Sequence, residues 1–243
     1  MKQTIFTITE NTPLTATVYK MVLAGDTAGI TTGQFVNVLL DGLYLRRPIS
    51  VCDCTAGTLT LVYKVVGKGT RRMAAMSAGA TLDVLTGLGN GYDLSKAGEN
   101  PLLLGGGVGV PPLYMLARQL REQGKAVSVV LGFNTADEVF YEQEFKALGC
   151  AVTVTTADGS YGVKGFVTDA LPADYSYFYT CGPEPMLKAV YAATATSGQF
   201  SFEERMGCGF GACMGCSCHV ITGYKRICKD GPVLEKEEIL WDA

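Results

Sequence analysis

The sequence predicts a multidomain β plus α/β protein: an antiparallel β-barrel, then a parallel α/β unit, then a small cysteine-rich module. Three observations carry this prediction. From Ile5 to about Leu85 the chain breaks into short runs rich in β-branched and aromatic residues, divided by turn signals. After Gly98-Glu99-Asn100 the pattern changes to strand–helix alternation. Five cysteines then crowd between 208 and 228. The expected boundaries are 1–98, 99–200 and 201–243.

Composition narrows the class. A chain of 243 residues suggests about two units with room for a third, small one. Its 48% hydrophobic content and mean hydropathy of +0.21 supply buried cores. The net charge of -3 provides no basic footprint, which argues against nucleic acid as a partner. The opening MKQTIFTITEN alternates like a strand and lacks the apolar run and cleavage site of a signal peptide. The most apolar stretch, 101–117, is interrupted by glycines and by Pro111-Pro112, so no membrane span is expected. Nine cysteines, an odd number clustered at one end, suit a reducing compartment better than a disulfide scaffold. A cytoplasmic location is the expectation.

In the first unit, ATVYKMVLAG, GQFVNVLL, RPISVCDC, TLTLVYKVVG and ATLDVLTG read as strands, and closing them into a barrel removes their exposed edges. Gly67-Lys68-Gly69-Thr70 leads into RRMAAMSAG, read as one short helix ending near Gly79. A glycine turn entering a helix presents free N–H groups to a pyrophosphate, and an arginine from Arg46-Arg47-Pro48-Ile49-Ser50 can add bidentate contacts. A plain solvated role is the reading kept for Arg46.

In the second unit PLLLGGG, AVSVVLGF, AVTVTTAD and YSYFYTCG read as strands, alternating with helices in PLYMLARQLREQG, DEVFYEQEFKALG, GFVTDALPAD and EPMLKAVYAATATSG. Such alternation implies a parallel sheet with ligands beyond its carboxyl ends. Two of those ends are candidates. Gly105-Gly106-Gly107-Val108-Gly109 lets a dinucleotide approach the backbone, although Pro111-Pro112 replace the last glycine of the G-x-G-x-x-G pattern. Thr180-Cys181-Gly182-Pro183 ends another strand; a small core side chain is the plainer reading of Cys181. Asp137 and Glu138 follow the second strand where a 2′-phosphate would need a base, which favours NAD over NADP; helix capping is the alternative.

In the third unit Cys208, Cys213 and Cys216 are spaced C-x4-C-x2-C, with Cys228 after a hairpin turn at 221–225. That is the plant-type [2Fe–2S] pattern. Glycines at 207, 209, 211 and 215 permit close backbone approach to the sulfurs. A four-thiolate zinc site is the alternative from spacing alone. Cys216 and Cys218 are expected on one strand face; Cys228 is the choice for the fourth ligand and Cys218 the spare. His219, the single histidine, is read as a surface or hydrogen-bonding residue.

Arg47-Pro48-Ile49-Ser50 resembles the R-x-Y-S flavin fingerprint of the ferredoxin–NADP reductase superfamily, with Ile49 in place of the tyrosine. Val62-Tyr63-Lys64 and Gly69-Thr70 fall where that family places its other FAD contacts. The resemblance implies that Arg47 binds the FAD pyrophosphate and that Ser50 lies near the reactive edge of the isoalloxazine. It also implies that Gly106, Gly107, Gly109, Cys181, Gly182 and Pro183 line the nicotinamide site. Over essentially its full length the chain is similar to the electron-transfer subunits of type B dihydroorotate dehydrogenase, through RRPIS, GKGT, GGGVGVPPL, ADGSYG, GFVTD, CGPEPMLKA, EERMGCGFGAC and CKDGPV in order. This implies FAD, [2Fe–2S] and NAD as cofactors and an FMN-containing catalytic partner in a two-plus-two heterotetramer. Electrons from dihydroorotate, oxidised in pyrimidine synthesis, would reach NAD+ through the cluster and FAD. No catalytic acid–base pair for an organic substrate is read in this chain. The rivals are a small subunit of an NADH-dependent ferredoxin:NADP or sulfide reductase and a zinc-stabilised, non-enzymatic binding module.

Overall fold

The computed structural model describes residues 1–241. Six strands close the barrel: β1 (Lys2–Pro13), β2 (Val18–Ala24), β3 (Phe35–Val38), β4 (Arg47–Thr55), β5 (Thr58–Lys64) and β6 (Thr81–Leu88), in the order β1-β2-β5-β4-β3-β6, with all pairs antiparallel. Alternation decides the inner face: Phe6, Ile8, Leu82 and Val84 are fully buried while the residues between them face outward. The short helix α1 (Lys68–Ala74) stops before the expected Gly79. The Asn11 amide, from β1, donates to the carbonyls of Met73 and Met76 at 2.8 Å each and takes over the end of the helix.

The second sheet has seven strands: β7 (Leu102–Gly106), β8 (Ser128–Phe133), β9 (Ala151–Thr156), β10 (Val163–Lys164), β11 (Phe178–Cys181), β12 (Gly198–Ser201) and β15 (Val233–Glu235), in the order β10-β9-β8-β7-β11-β12-β15. All neighbours are parallel except β12 and β15. From β7 the chain winds outward to β8, β9 and β10; from β11 it winds the other way. The switch point therefore lies between β7 and β11, whose carboxyl ends are Gly106 and Cys181. Helices α2 (Pro112–Glu122), α3 (Glu142–Ala147) and α4 (Glu184–Ala193) cover the faces.

Two expected helices are shorter than the sequence suggests. In DEVFYEQEFKALG a single 3-10 turn at Ala136–Glu138 is followed by extended chain, because Phe140 and Tyr141 both turn into the core and Tyr141 adopts φ 66° ahead of α3. GFVTDALPAD makes only one 3-10 turn, Val167–Ala170, in which the Asp169 carboxylate accepts from the Phe166 N–H at 2.8 Å.

The cysteine segment forms a hairpin, β13 (Ser217–Val220) with β14 (Gly223–Arg226), turning at 221–222. The chain then returns to the second sheet as β15. The stretch expected as a separate unit at 201–243 thus supplies an edge strand to the middle unit; its last two positions lie outside the described residues. One core packs Phe35 and Leu88 of the barrel with Leu102, Phe200, Leu234, Cys216 and Cys228, so all three segments share it. The barrel and α/β unit also interlock. Arg118 of α2 donates to Asp53 Oδ1 at 2.8 Å and to the Cys54 carbonyl at 3.0 Å, and Cys52 Sγ donates to the Tyr141 hydroxyl at 3.3 Å.

Candidate functional site

A cleft of about 1420 Å3 opens where the barrel, the switch point and the hairpin meet. Single small-molecule pockets occupy roughly 300–1,000 Å3, so this one has room for two nucleotides.

On the barrel side it is lined by Arg47, Pro48, Ile49 and Ser50 of β4, Val62, Tyr63 and Lys64 at the end of β5, and Thr70 of α1. Gly69 is not a lining residue. It lies beneath Arg47, and a β-carbon there would stand 2.2 Å from Arg47 Nε. The Thr70 hydroxyl accepts from the N–H groups of Val66 and Gly67 at 2.9 and 3.2 Å and fastens the glycine turn. The Tyr63 hydroxyl donates to Asn11 Oδ1 at 3.0 Å, and burial pushes its ionisation above the usual phenol range. Arg46 is not the solvated residue expected: it lines the cleft and pairs with Asp83 at 2.9 Å, while also donating to the Asn37 and Asp83 carbonyls. The pair forms because β3 and β6 lie side by side and present both carbonyls and the carboxylate to one guanidinium.

At the switch point Gly106, Gly107, Gly109, Cys181, Gly182 and Pro183 all line the cleft. A β-carbon on Gly109 would meet the Cys181 carbonyl at 2.3 Å, so the two strand ends touch through bare backbone. Gly107, at φ 52°, would project a β-carbon into open space, which leaves its backbone approachable by a ligand. The N–H groups of Leu113 and Tyr114 are already bonded to Val110 and Pro111 carbonyls at 3.1 and 3.0 Å. A nucleotide here would rest on the glycine backbone more than on the start of α2. Cys181 is half-buried at the cleft wall, and burial pushes its thiol up to about 12. Glu138 lines the cleft 4.0 Å from Lys64 Nζ and accepts from the Asn134 amide at 2.7 Å; Asp137 is exposed and outside the cleft.

The four chosen cysteines are joined in two pairs. Cys208 Sγ accepts from the N–H groups of Ala212 and Cys213 at 3.2 and 3.4 Å, and Cys216 Sγ from that of Cys228 at 3.4 Å. Burial opposes ionisation of Cys208, yet the N–H groups of Phe210, Cys213 and Ala212 and the Cys213 thiol outweigh it and bring the thiol down to about 6. Burial and the adjacent Cys216 push Cys228 up to about 12. Added β-carbons on Gly207 and Gly215 would meet Cys213 Sγ at 3.3 and 3.5 Å, so both glycines make room for that sulfur. Two pairs of thiolates suit a two-iron cluster. Cys216 precedes β13, so strand alternation does not place it with Cys218 as expected. Cys216 is buried against Cys228, whereas Cys218 lines the cleft beside His219 and Val220. His219 is exposed, its ring 4.9 Å from that of Tyr224.

Sequence reading passed over Ser201 and Thr155, which line the cleft, gave no site role to the 165–168 turn of the GFVTD motif, which lines it too, and missed Asn37, whose amide donates to the Cys208 carbonyl at 3.3 Å. Asn37 carried a signal: a lone amide in the otherwise apolar run Phe35–Val38.

Comparison with known proteins agrees with this geometry. Residues 203–240 match the iron-sulfur cluster binding domain of dihydroorotate dehydrogenase B, and residues 103–192 match the oxidoreductase NAD-binding domain. The dihydroorotate dehydrogenase B (NAD(+)) electron transfer subunit of Shouchella clausii (strain KSM-K16) is 47% identical over 98% of each chain. The structure of an NADH-dependent reduced ferredoxin-NADP oxidoreductase superposes with a TM-score of 0.89 at 32% identity, over 97% of this chain and 90% of that one. A ferredoxin NADP+ reductase from Neisseria gonorrhoeae with bound FAD and NADP shares the fold, at a TM-score of 0.69 and 18% identity over 79% and 90% of the two chains. The chain belongs to the family of electron transfer subunits of dihydroorotate dehydrogenase B (NAD(+)), oxidoreductase components that work with a catalytic partner subunit.

Proposed function

We propose that this chain takes the electrons released when an FMN-containing catalytic subunit oxidises dihydroorotate to orotate, and delivers them through a [2Fe–2S] cluster and FAD to NAD+. The observation that carries this reading is the meeting of the barrel wall, the switch point and the cysteine hairpin at one cleft. Nicotinamide exchanges electron pairs as hydride, a [2Fe–2S] cluster exchanges single electrons, and a flavin does both.

The chain's own residues divide the task. Arg47 takes the FAD pyrophosphate above Gly69 and Thr70, while Pro48, Ile49, Ser50, Val62, Tyr63 and Lys64 wall the flavin. Gly106, Gly107 and Gly109 give the nicotinamide nucleotide a bare backbone to rest on, and Cys181, Gly182 and Pro183 close the opposite side. Cys208, Cys213, Cys216 and Cys228 hold the irons. Glu138 sets the preference for NAD, since its carboxylate would repel a 2′-phosphate. The boundaries 1–98 and 99–200 separate the flavin and NAD units, and 201–243 carries the cluster. The assembly we propose is a two-plus-two heterotetramer in the cytoplasm.

A second reading, electron delivery to a ferredoxin-type partner, draws support from the relative at 32% identity. The test begins with the absorption spectrum of the anaerobically purified chain before and after adding NADH, where bleaching of both chromophores is expected. Mixing with the FMN subunit should then give NAD+ reduction that depends on dihydroorotate. A chain without flavin or iron overturns the proposal; turnover with ferredoxin and none with dihydroorotate favours the second reading.

A further inference from the structure

Strand β3 is buried at all four positions, and packing alone would fill them with apolar side chains. Asn37 breaks the rule. It is 1% exposed, and its Oδ1 is buried without a hydrogen-bond partner. Buried unpartnered acceptors are rare in native proteins and concentrate where function keeps them. The other end of the amide shows what is kept: Nδ2 donates to the carbonyl of Cys208 at 3.3 Å. The next residue, Gly209, has φ 76°, and a β-carbon there would stand 2.2 Å from Asn37 Nδ2, so amide and glycine fit only as a pair. Asn37 faces Pro48 across the β3–β4 ladder, within the run assigned to FAD.

The far end of the cysteine segment is tied to the barrel in the same manner. Asn90, just beyond β6, donates from Nδ2 to the Val233 carbonyl at 2.7 Å and accepts the Val233 N–H on Oδ1 at 2.9 Å. Its own N–H reaches the Gly231 carbonyl at 2.6 Å. Gly89 leaves room for this contact: a β-carbon on it would lie 2.6 Å from Pro232 Cδ. Two barrel asparagines therefore hold the segment at both ends, one at its first cysteine and one shortly after its last.

We infer that Asn37 and Asn90 are positioning residues that fix the cysteine loop against the flavin-binding strand and so set the separation over which electrons pass between cluster and FAD. The inference rests on the functional reading above. Neither asparagine is a ligand or a cleft-lining residue, so their removal should spare cofactor content and disturb only the junction.

The test compares wild type with Asn37→Leu, which keeps the branched shape of the amide without its polar atoms, and with Asn90→Ala at an exposed position. Each variant is expected to keep full FAD and iron content and a normal rate of flavin reduction by NADH. Cluster bleaching should slow by roughly tenfold or more, as a displaced reaction partner implies. Hydrogen exchange at the amides of 209–211 should quicken in Asn37→Leu, and the EPR signal of its reduced cluster should shift. Cluster bleaching at the wild-type rate in the variants that fold overturns the inference, and if Asn37→Leu does not fold, Asn90→Ala decides alone. A wild-type chain lacking flavin or iron overturns the functional reading itself, and the inference with it.

Discussion

Arg47 lies directly over Gly69, so close that a β-carbon on residue 69 would stand 2.2 Å from Nε. The obstructing atoms all belong to a side chain, which can swing aside, so Gly69→Ala should cost little stability. It should displace the guanidinium from the place where a pyrophosphate is to be held. Hydrogen bonds to charged groups contribute about 1.5–3 kcal/mol, and losing one or two of them predicts FAD binding weaker by ten- to a hundredfold, roughly. Titration of the deflavinated chain with FAD checks this, and an unchanged affinity with Arg47 displaced would refute the role given to Arg47.

Much of this arrangement is legible in the amino-acid sequence because local chemistry dictates it. The six barrel strands announce themselves by alternation and β-branched residues, and β7 and β11 by apolar runs that end in glycine. The parts that are not legible are decided by contacts between distant residues. Nothing near Ala74 explains why α1 stops there; the amide of Asn11, some sixty positions away, takes its terminal carbonyls. The left-handed turn at Tyr141 follows from two aromatic rings needing the same core. The three-residue strand β15 exists only because β12 offers an open edge. At the site, cysteine spacing singles out Cys208, Cys213, Cys216 and Cys228 as a candidate set, but their pairing depends on loop geometry.

The Arg118–Asp53 contact joins α2, which follows the glycine loop, to β4, which carries Arg47 and Ser50. Both side chains are about one-fifth exposed, and Arg118 also bonds Glu122 at 2.9 Å. Replacing Arg118 by Met leaves Asp53 facing the interface without its cation. A loss of about 1.5–3 kcal/mol is expected, read from urea unfolding. In a double-mutant cycle with Asp53→Asn, the two losses should fall well short of adding. Independent, additive losses would show that the contact does not join the two units energetically.

Glu235 predicts a pH dependence. Burial works against its ionisation, but Lys96 at 2.7 Å, Gln199 at 2.8 Å and Tyr177 at 2.8 Å outweigh that and hold its carboxyl below the ordinary value of 4.5. A carboxyl depressed in the folded state binds protons more readily when unfolded. Its contribution to stability is therefore complete above that ordinary value and disappears as pH falls through the lower, folded value. Glu235→Gln should lower the urea midpoint at pH 7 and flatten its decline toward pH 4. Parallel curves for variant and wild type at all pH values would assign the acid sensitivity to other carboxyls.

The choice of ligands can be tested against the spare thiol. Cys216 and Cys228 are both 2% exposed and joined through the Cys228 N–H, whereas Cys218 lies at the cleft wall with its thiol pushed up, chiefly by burial. Serine at 208, 213, 216 or 228 removes one of four thiolates from a paired set, while serine at 218 changes a residue outside it. Iron analysis and the EPR signal of the reduced protein should therefore show the cluster lost in each of the first four variants and retained in Cys218→Ser. FAD should stay bound in all five, because Arg47, Ser50 and Gly69 belong to β4 and α1 and share no backbone with the cysteine loop. A full cluster in Cys228→Ser together with its loss in Cys218→Ser would move the fourth ligand from the turn that follows the hairpin to the hairpin's leading strand, and would break the two-pair arrangement on which the two-iron assignment stands.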